Sequence, residues 1–322
     1  MNSIKDANIA EGTRVFVRAD LDVPIRDGKI QNTFRLDSSL ETLQYLSSKK
    51  AKILIAGKIG RPEGAYNESL STKQLQPYFE KNLPNTDFEI LENLRFDVRE
   101  EFTSDEFAQE LAQKADIYVN ECFATSHRDD TSIVAVPKFL PSYAGITLMK
   151  EVEALKKVIK EPNRPLVSII GGAKLSTKKP VVSKFLEISE YVLVGGKIGL
   201  DWSEAIPDNL MIPIDYSTDT KDIGVETVEE YKKIIKSAKS IIWNGPMGLF
   251  EEPPFDKATN EIAKVIVESG AYSVIGGGDT VAAISNLGLL DKFNFVSTGG
   301  GAMLEFITKE NLPGLEVLGY RG

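Results

Sequence analysis

Short apolar runs alternate along the chain with longer stretches in which apolar residues recur at helical spacing. The runs lie at residues 14–17, 53–56, 88–91, 117–119, 166–170, 191–194, 240–243, 273–275 and 293–296. Such uninterrupted runs are typical of parallel strands that are buried on both faces. Helical spacing is found at residues 38–47, 104–114, 225–236, 256–268 and 280–287. Because strands and helices alternate, the pattern predicts an α/β fold with parallel sheets.

The pattern also divides the chain into two halves joined by one helical segment. A length of 322 residues favours two domains, and the helical spacing within residues 145–165 ends at Pro162 and Pro165. We therefore expect an N-terminal domain over residues 1–147, a connecting helix over 148–164 and a C-terminal domain over 165–305. Residues 306–322 end in a tail without an apolar period. This pattern allows a loose tail or one that packs back toward the first domain, and we expect the second.

Composition and charge narrow the classes of function. The net charge is −9, from 38 Lys and Arg against 47 Asp and Glu, which argues against nucleic-acid or membrane partners. The single cysteine, Cys122, excludes an intramolecular disulfide, and with one histidine, His127, the chain has too few ligands for a Cys/His zinc site. The first residues lack a signal-peptide pattern, and no apolar run is long enough to cross a bilayer. We expect a cytoplasmic protein.

Arginines and glycine clusters are distributed oppositely. Eight of the ten arginines lie in the first 128 residues, whereas the glycine clusters at 171–172, 195–196, 276–278 and 299–301 all lie in the second half. Arg35, Arg61, Arg95 and Arg128 follow or flank predicted strand ends, where open α/β sheets bind ligands. Any one of them alone is better explained as a surface residue. Together they need an anion to offset their repulsion, and a small phosphorylated acid would supply it.

The glycine clusters predict phosphate-binding loops. In residues 171–178, Lys174 and Lys178 are four apart, a spacing that a helix places on one face, and a phosphate chain would offset their repulsion. In residues 276–280, glycine amides would hold phosphate oxygens while Asp279 reaches a Mg²⁺ ion. The alternatives are a solvated lysine pair and a simple helix cap. Residues 299–301 form a second glycine nest of the same kind.

Several ordered motifs resemble the phosphoglycerate kinase family. The motifs are Val17-Arg18-Ala19-Asp20-Leu21-Asp22-Val23-Pro24, Ile59-Gly60-Arg61-Pro62, Leu91-Glu92-Asn93-Leu94-Arg95-Phe96, Trp243-Asn244-Gly245-Pro246-Met247-Gly248-Leu249-Phe250-Glu251, the three glycine loops and Pro313-Gly314-Leu315-Glu316. The resemblance implies a monomer of two Rossmann-like parallel-sheet domains that face a hinged cleft. It implies the glycolytic reaction in which Mg²⁺-dependent phosphoryl transfer interconverts 1,3-bisphosphoglycerate and ADP with 3-phosphoglycerate and ATP.

The resemblance also implies roles for individual residues. It places the phosphoglycerate at Asp20, Leu21, Asp22, Arg35, Lys58, Ile59, Gly60, Arg61, Arg95 and Arg128. It places the nucleotide at Gly172, Ala173, Lys174, Lys178, Gly195, Gly196, Asn244, Glu251, Gly277, Gly278, Asp279 and Thr280, with Asp279 as the Mg²⁺ ligand. The catalytic groups would be Arg35, Lys174, Lys178, Gly300 and Gly301, which stabilise the charge on the transferring phosphoryl group.

The chain also departs from the family pattern. Lys58 stands where the family has His and Asp22 stands where it has Asn, so we expect these two opposite charges to pair. The stretches between residues 72 and 91 and between 199 and 222 are shorter than in the family. These departures leave open a catalytically impaired nucleotide-binding relative with a regulatory role. A Rossmann dehydrogenase is disfavoured because no G-x-G-x-x-G motif opens a helix after a strand.

Overall fold

The computed structural model describes the whole chain, Met1–Gly322, and divides into two compact units. Unit 1 comprises Met1–Glu151 together with Asn311–Gly322, and unit 2 comprises Val152–Glu310. Each unit is built around one parallel sheet. None of the helices has the length and apolar content that crossing a lipid bilayer requires.

Unit 1 contains a five-stranded parallel sheet and a small hairpin. Its strands are β1 (Arg14–Arg18), β2 (Ile25–Arg26), β3 (Lys29–Ile30), β4 (Lys52–Ala56), β5 (Phe88–Ile90), β6 (Ile117–Asn120) and β7 (Ser142–Ala144). The sheet order is β5-β4-β1-β6-β7, and β2 pairs with β3 as the antiparallel hairpin. The central strand β1 is buried from Val15 onward. Because β1 lies between β4 and β6, the loop that follows β1 starts between the loops that follow those two strands.

Helices cover the sheet of unit 1 and complete its core. They are α1 (Phe34–Ser48), α2 (Gln76–Asn82), α3 (Asp105–Ala112) and the first part of α4 (Ile146–Lys160). Helix α3 begins where the Ser104 side chain accepts a hydrogen bond from the Phe107 amide. Leu36, Leu43 and Leu46 of α1 pack in the same core as Val15 and Val17. The helical spacing of the apolar residues in α1 thus provides the face that covers the sheet.

Unit 2 contains a six-stranded parallel sheet. Its strands are β8 (Leu166–Ile170), β9 (Tyr191–Val194), β10 (Leu210–Met211), β11 (Ser240–Asn244), β12 (Tyr272–Gly276) and β13 (Phe295–Val296), in the order β10-β9-β8-β11-β12-β13. Its helices are the rest of α4, α5 (Leu175–Ile188), α6 (Gly196–Leu200), α7 (Val225–Ser237), α8 (Lys257–Ser269), α9 (Gly278–Asn286) and α10 (Gly300–Lys309). Trp243 in β11 is fully buried in the core.

The sequence-based prediction of an α/β fold with parallel sheets is confirmed. All nine predicted strands are present, and their ends shift by no more than two residues. The pattern missed the hairpin strands β2 and β3, of two residues each, and in the parallel sheets it missed β7 and β10, which contain only three and two residues. Such short edge strands carry too few side chains to show a period, and their pairing partners define them instead.

The C-terminal tail is an integral part of unit 1. Helix α11 (Pro313–Glu316) follows α10, and the Gly314 amide donates to the Ser126 carbonyl at 2.8 Å. A Cβ atom at Gly314 would lie 2.7 Å from Ile133 Cγ2, so only glycine allows this approach. Leu315 is fully buried. The alternative of a loose tail is therefore wrong.

Truncation of Leu315 tests the contribution of the tail to stability. We expect Leu315→Ala to lower the free energy of unfolding by about 2–5 kcal/mol, because it removes a fully buried side chain and leaves a cavity. Val317→Ala is the control, since Val317 is 36% exposed in the same turn, and we expect it to cost less than about 0.5 kcal/mol. Urea unfolding followed by circular dichroism measures both. Equal, small losses would contradict a structural role of the tail.

Candidate active site

Charged side chains of unit 1 collect at the carboxyl edge of its sheet. Strand β1 lies between β4 and β6, with all three parallel. The segments that follow β1 and β4 therefore start side by side and bring Asp20, Asp22 and Lys58 together. Leu21 and Ile59 point their side chains into the core, so at this edge they offer their backbone groups. Parallel strands thus bring together side chains that lie far apart in the sequence.

Arg35 is held by the first of the two aspartates. It lies in the first turn of α1, and its Nη1 lies 3.2 Å from Oδ2 of Asp20, a carboxylate that is almost fully buried. Arg35 also lies 4.0 Å from Asp22 Oδ2. About a third of the Arg35 side chain remains exposed. The guanidinium is thus oriented by the protein and still accessible to a ligand.

Lys58 and Asp22 form an ion pair, as the sequence predicted from their opposite charges. The Lys58 ammonium contacts Asp22 Oδ2, and the Gly60 amide donates to Asp22 Oδ1 at 2.9 Å. Burial raises the pKa of the Asp22 carboxyl, but Lys58, Gly60 and Arg35 outweigh this effect and hold the pKa below its ordinary value. Asp22 is therefore charged at neutral pH and neutralises Lys58.

The other predicted arginines differ in their environment. Arg95 is 1% exposed; its Nη1 donates to the Gly60 carbonyl at 3.3 Å, and its Nη2 lies 3.2 Å from Glu101 and 3.7 Å from Asp130. Arg61 is exposed and Arg128 half-buried. The expectation that an external anion must offset the cationic groups at this edge is therefore only partly correct. Carboxylates of the chain already neutralise three of the cationic groups.

A buried polar network lies beside Arg95, and sequence reasoning missed it. Arg18 Nε donates to Ser132 Oγ at 2.7 Å, and Ser132 Oγ donates to Glu100 at 2.6 Å. Burial raises the pKa of Glu100 to about 7, although Arg18 and Ser132 lower it, while the Asp130 charge raises it further. The sequence signal for this network is the adjacent pair Glu100 and Glu101, which follows soon after the motif that contains Arg95.

In unit 2 the glycine loops pack backbone against backbone. The Gly171 amide donates to the Asn244 carbonyl at 3.0 Å, and a Cβ at Gly171 would lie 2.0 Å from the Pro246 carbonyl oxygen. A Cβ at Gly196 would lie 2.7 Å from the Gly172 carbonyl oxygen. Any side chain at these two positions would separate the loops. The glycines thus bring the segments after β8, β9 and β11 into direct contact.

The two predicted lysines follow β8 but do not share a helix face. Lys174 is exposed and has extended backbone angles at the N-cap of α5, whereas Lys178 lies inside the helix. The expectation of one helical face is therefore wrong, because the helix begins one residue after Lys174. The Lys178 ammonium donates to Asn244 Oδ1. Burial lowers the pKa of Lys178 to about 8, although the Asp279 charge raises it.

The loops after β12 and β13 complete this edge. Gly277 lies against the Asn244 side chain, and a Cβ at Gly300 would lie 3.4 Å from Gly277 Cα. The Gly245 amide donates to Thr280 Oγ1 at 2.7 Å, so buried Thr280 connects two of the loops. The remaining predicted residues, Ala173, Glu251, Gly278, Asp279 and Gly301, are exposed, and Gly195 is buried. Amides of Gly300 and Gly301 open helix α10.

The donor set at Asp279 fits a magnesium ion that arrives with a nucleotide. Asp279 is an exposed carboxylate in the first turn of α9. No group of three or more His, Cys, Asp or Glu side chains forms a metal cage in the chain. Mg²⁺ commonly takes one or two carboxylates and completes its shell with substrate phosphates and water. One accessible carboxylate beside glycine loops is sufficient for that mode.

Comparisons with known proteins point to one family. A sequence model of the family described as Phosphoglycerate kinase matches residues 4–89, 80–213 and 201–310. The phosphoglycerate kinase of Leptospira biflexa is 36% identical over 379 aligned positions, which cover 96% of each chain. That of Finegoldia magna is 33% identical, with 99% of each chain covered. This chain belongs to the phosphoglycerate kinase family.

Solved structures of phosphoglycerate kinases share the fold. The enzyme from Coxiella burnetii superposes with a TM-score of 0.86 at 30% identity over 98% of both chains. That from Pyrococcus horikoshii gives 0.86 at 29% identity over 99% of this chain and 98% of its own. The alignment with the Leptospira relative spans more positions than the 322 residues of this chain. The relative therefore has segments that this phosphoglycerate kinase family member lacks, which confirms the expectation of a shortened chain.

Breaking the pair of Asp22 and Lys58 tests whether these charges depend on each other. We expect Asp22→Asn to lower the free energy of unfolding by about 1–3 kcal/mol, because it leaves a nearly buried ammonium without its anion. The double variant Asp22→Asn/Lys58→His should lose less than the sum of the single variants, by about 1 kcal/mol or more. Urea denaturation of the four proteins measures this coupling.

Glu11→Gln is the matched control for this cycle. It removes a pair with Lys50 in which both side chains are about 70% exposed, so we expect a loss below about 0.5 kcal/mol. Strictly additive losses at Asp22 and Lys58 would show that the two residues act independently.

The pKa of Lys178 predicts how nucleotide affinity varies with pH. Phosphates favour the protonated ammonium, so above pH 8 binding of MgADP should take up a proton, and affinity should fall by at most about tenfold per pH unit. Calorimetric titrations between pH 7.5 and 9.5, in buffers of different ionisation enthalpy, measure both quantities. Lys178→Arg keeps its charge throughout and should remove this slope. The same slope in both proteins would assign the proton to another group.

Proposed function

We propose that this protein is a phosphoglycerate kinase that transfers a phosphoryl group between 1,3-bisphosphoglycerate and MgADP to form 3-phosphoglycerate and MgATP. The proposal rests on the two sheet edges at the carboxyl ends of the strands, one in each unit, in a chain of this family. One edge carries cationic side chains, and the other carries glycine loops with two lysines. These are the groups that a phosphorylated acid and a nucleotide require.

In this proposal unit 1 binds the acid. Arg61 and Arg128, which form no ion pair with a carboxylate of the chain, would bind its phosphate together with Arg95 and Lys58. Asp20 and Asp22 would accept a hydrogen bond from its hydroxyl group. Arg35 would steady the transferring group, since Asp20 orients its guanidinium while part of the side chain stays accessible. Backbone groups of Leu21, Ile59 and Gly60 would line the site.

Unit 2 binds the nucleotide in this proposal. The amides of Gly172, Ala173, Gly277 and Gly278 would hold phosphate oxygens, and Lys174, Lys178 and Asn244 would bind the terminal groups. Gly195 and Gly196 would lie under the adenine, and Glu251 would bind the ribose. Asp279 would hold the Mg²⁺ ion, which when bound neutralises charge on the phosphate oxygens. Thr280 would fix the loop that carries these groups, because it holds the Gly245 amide.

The transfer step needs positioning more than acid or base chemistry. In the direction of ATP consumption, a carboxylate oxygen of 3-phosphoglycerate forms a bond to the terminal phosphorus as the bond from that phosphorus to the ADP oxygen breaks. The carboxylate is already deprotonated, so no general base is required. In the transition state, negative charge spreads over the three oxygens of the transferring phosphoryl group. This charge would be stabilised by Arg35, Lys174, Lys178 and the amides of Gly300 and Gly301.

Water would hydrolyse the acyl phosphate, so we propose that closure about a hinge excludes it. We also propose a cytoplasmic monomer; light scattering on the purified protein measures the oligomeric state. No observation favours a catalytically impaired relative, because Arg35, both lysines, Asp279 and the glycine loops are all present.

A coupled assay tests the function directly. The purified protein should phosphorylate 3-phosphoglycerate from MgATP, followed by reduction of the 1,3-bisphosphoglycerate formed. Lys174→Ala and Arg35→Ala should each lower kcat by about 100- to 1000-fold, because each removes one positive charge from the transition state. Lys179→Ala is the control: Lys179 lies on α5, the helix that Lys174 precedes, but it is exposed and paired with Glu204, so kcat should be unchanged. Wild-type turnover by Lys174→Ala would refute the assigned roles.

A further inference from the structure

A buried glutamate at the end of β6 binds the first turn of α4. Oε1 of Glu121 accepts a hydrogen bond from the Thr147 amide at 3.0 Å, and Oε2 accepts one from the Leu148 amide at 3.1 Å. Glu121 is 3% exposed. Its carboxylate therefore satisfies two of the amides that the start of this helix leaves without partners.

The same carboxylate binds helix α1 through Thr42. The Thr42 hydroxyl donates to Glu121 Oε1 at 2.6 Å and accepts the Ile146 amide at 2.8 Å. Thr42 is fully buried in the middle of α1. One hydroxyl thus connects α1 both to Glu121 and to the first residue of α4.

A second connection leads from α4 to Arg35. The Thr147 hydroxyl donates to the Ser38 carbonyl at 2.5 Å, and the Ser38 hydroxyl donates to the Arg35 carbonyl at 2.6 Å. The start of α4 is therefore linked by hydrogen bonds to the backbone of the residue that would steady the transferring phosphoryl group. Asp20 holds the other end of Arg35, at its guanidinium.

The cluster leaves no space for adjustment. A Cβ at Gly145 would lie 1.8 Å from Glu121 Oε2, so the chain enters α4 in contact with the carboxylate. Burial raises the pKa of Glu121 to about 7, while hydrogen bonds from Thr42, Leu148 and Thr147 lower it. Burying this carboxylate costs free energy, and the hydrogen bonds from its partners offset that cost.

We propose that Glu121, together with Thr42, is a positioning residue that couples the connecting helix α4 to helix α1 and so fixes Arg35 for phosphoryl transfer. Glu121 is 3% exposed, so in this proposal it contacts neither substrate. It acts through α1, because a change at the start of α4 reaches the backbone of Arg35 through Thr42, Thr147 and Ser38. α4 carries the chain from unit 1 into unit 2, so this coupling links that passage to the catalytic arginine. The inference rests on the proposed function for its catalytic consequence alone.

Three substitutions in α1 separate positioning from simple packing. Thr42→Val keeps the shape of the side chain but removes both hydrogen bonds, whereas Thr42→Ser keeps the hydroxyl. Ser39→Ala is the matched control, because Ser39 is fully buried on the same helix and its hydroxyl has no hydrogen-bond partner. Glu121→Gln is the fourth variant, since an amide cannot accept on both of its ends.

The kinetic outcome is a split between turnover and nucleotide binding. We expect Thr42→Val and Glu121→Gln to lower kcat by about 10- to 100-fold, since small misplacements of catalytic groups have effects of this size. The Kd for MgADP should stay unchanged, and Thr42→Ser and Ser39→Ala should turn over like the wild type. Wild-type kcat in Thr42→Val, or an equal loss in Ser39→Ala, would overturn the proposal.

Hydrogen exchange tests the coupling without relying on turnover. Mass spectrometry on peptides covering residues 34–42 and 145–151 should show faster exchange of both segments in Thr42→Val, and of neither in Ser39→Ala. Faster exchange at residues 145–151 alone would refute the coupling, even in an active enzyme. An inactive wild type with both segments coupled would refute the proposed function and leave the coupling intact.

Discussion

Parallel pairing of buried strands is the constraint on which both units depend. A parallel strand cannot return through a tight turn, so each connection must cross to the opposite edge of the sheet. Every loop that leaves the carboxyl end of a strand therefore arrives at one edge. This places the segments after β1 and β4 together in unit 1 and those after β8, β9, β11, β12 and β13 together in unit 2. The chemistry of each unit follows from which residues those loops contain.

The two edges handle charge in different ways. Unit 1 uses long cationic side chains and sets carboxylates of its own against them, as Asp20 does for Arg35 and Asp22 for Lys58. Like charges held close together would otherwise destabilise the folded chain before any ligand arrives. The edge of unit 2 instead carries glycine loops, whose backbone amides have partial charges that need no counterion. Its lysines add full charge, and burial makes that of Lys178 sensitive to pH near 8.

The sequence predicted the nine longer strands, most of the long helices although not α10, and the pair of Asp22 and Lys58, because these depend on local pattern and on opposite charges in one region. It did not predict that Lys174 lies outside α5, since the helix start depends on how Gly172 turns the chain at a positive φ of 112°. It assigned no role to Glu121. Its partners Thr42 and Thr147 come from distant segments that only the fold brings together. Glu100 and Asp130 escaped notice for the same reason, because burial rather than residue type gives them their importance.

The return of the C-terminal tail to unit 1 has a consequence for how the protein is made. Unit 2 is one continuous segment, but unit 1 needs Leu315 and its neighbours, which leave the ribosome after the whole of unit 2. Domains generally fold in the order in which they are synthesised. Here the first segment to emerge must wait, with part of its apolar surface uncovered, while the whole of unit 2 is translated. Completion of unit 1 therefore follows the translation of unit 2, and a chain cut before Asn311 would contain all of unit 2 beside a unit 1 that lacks its last segment.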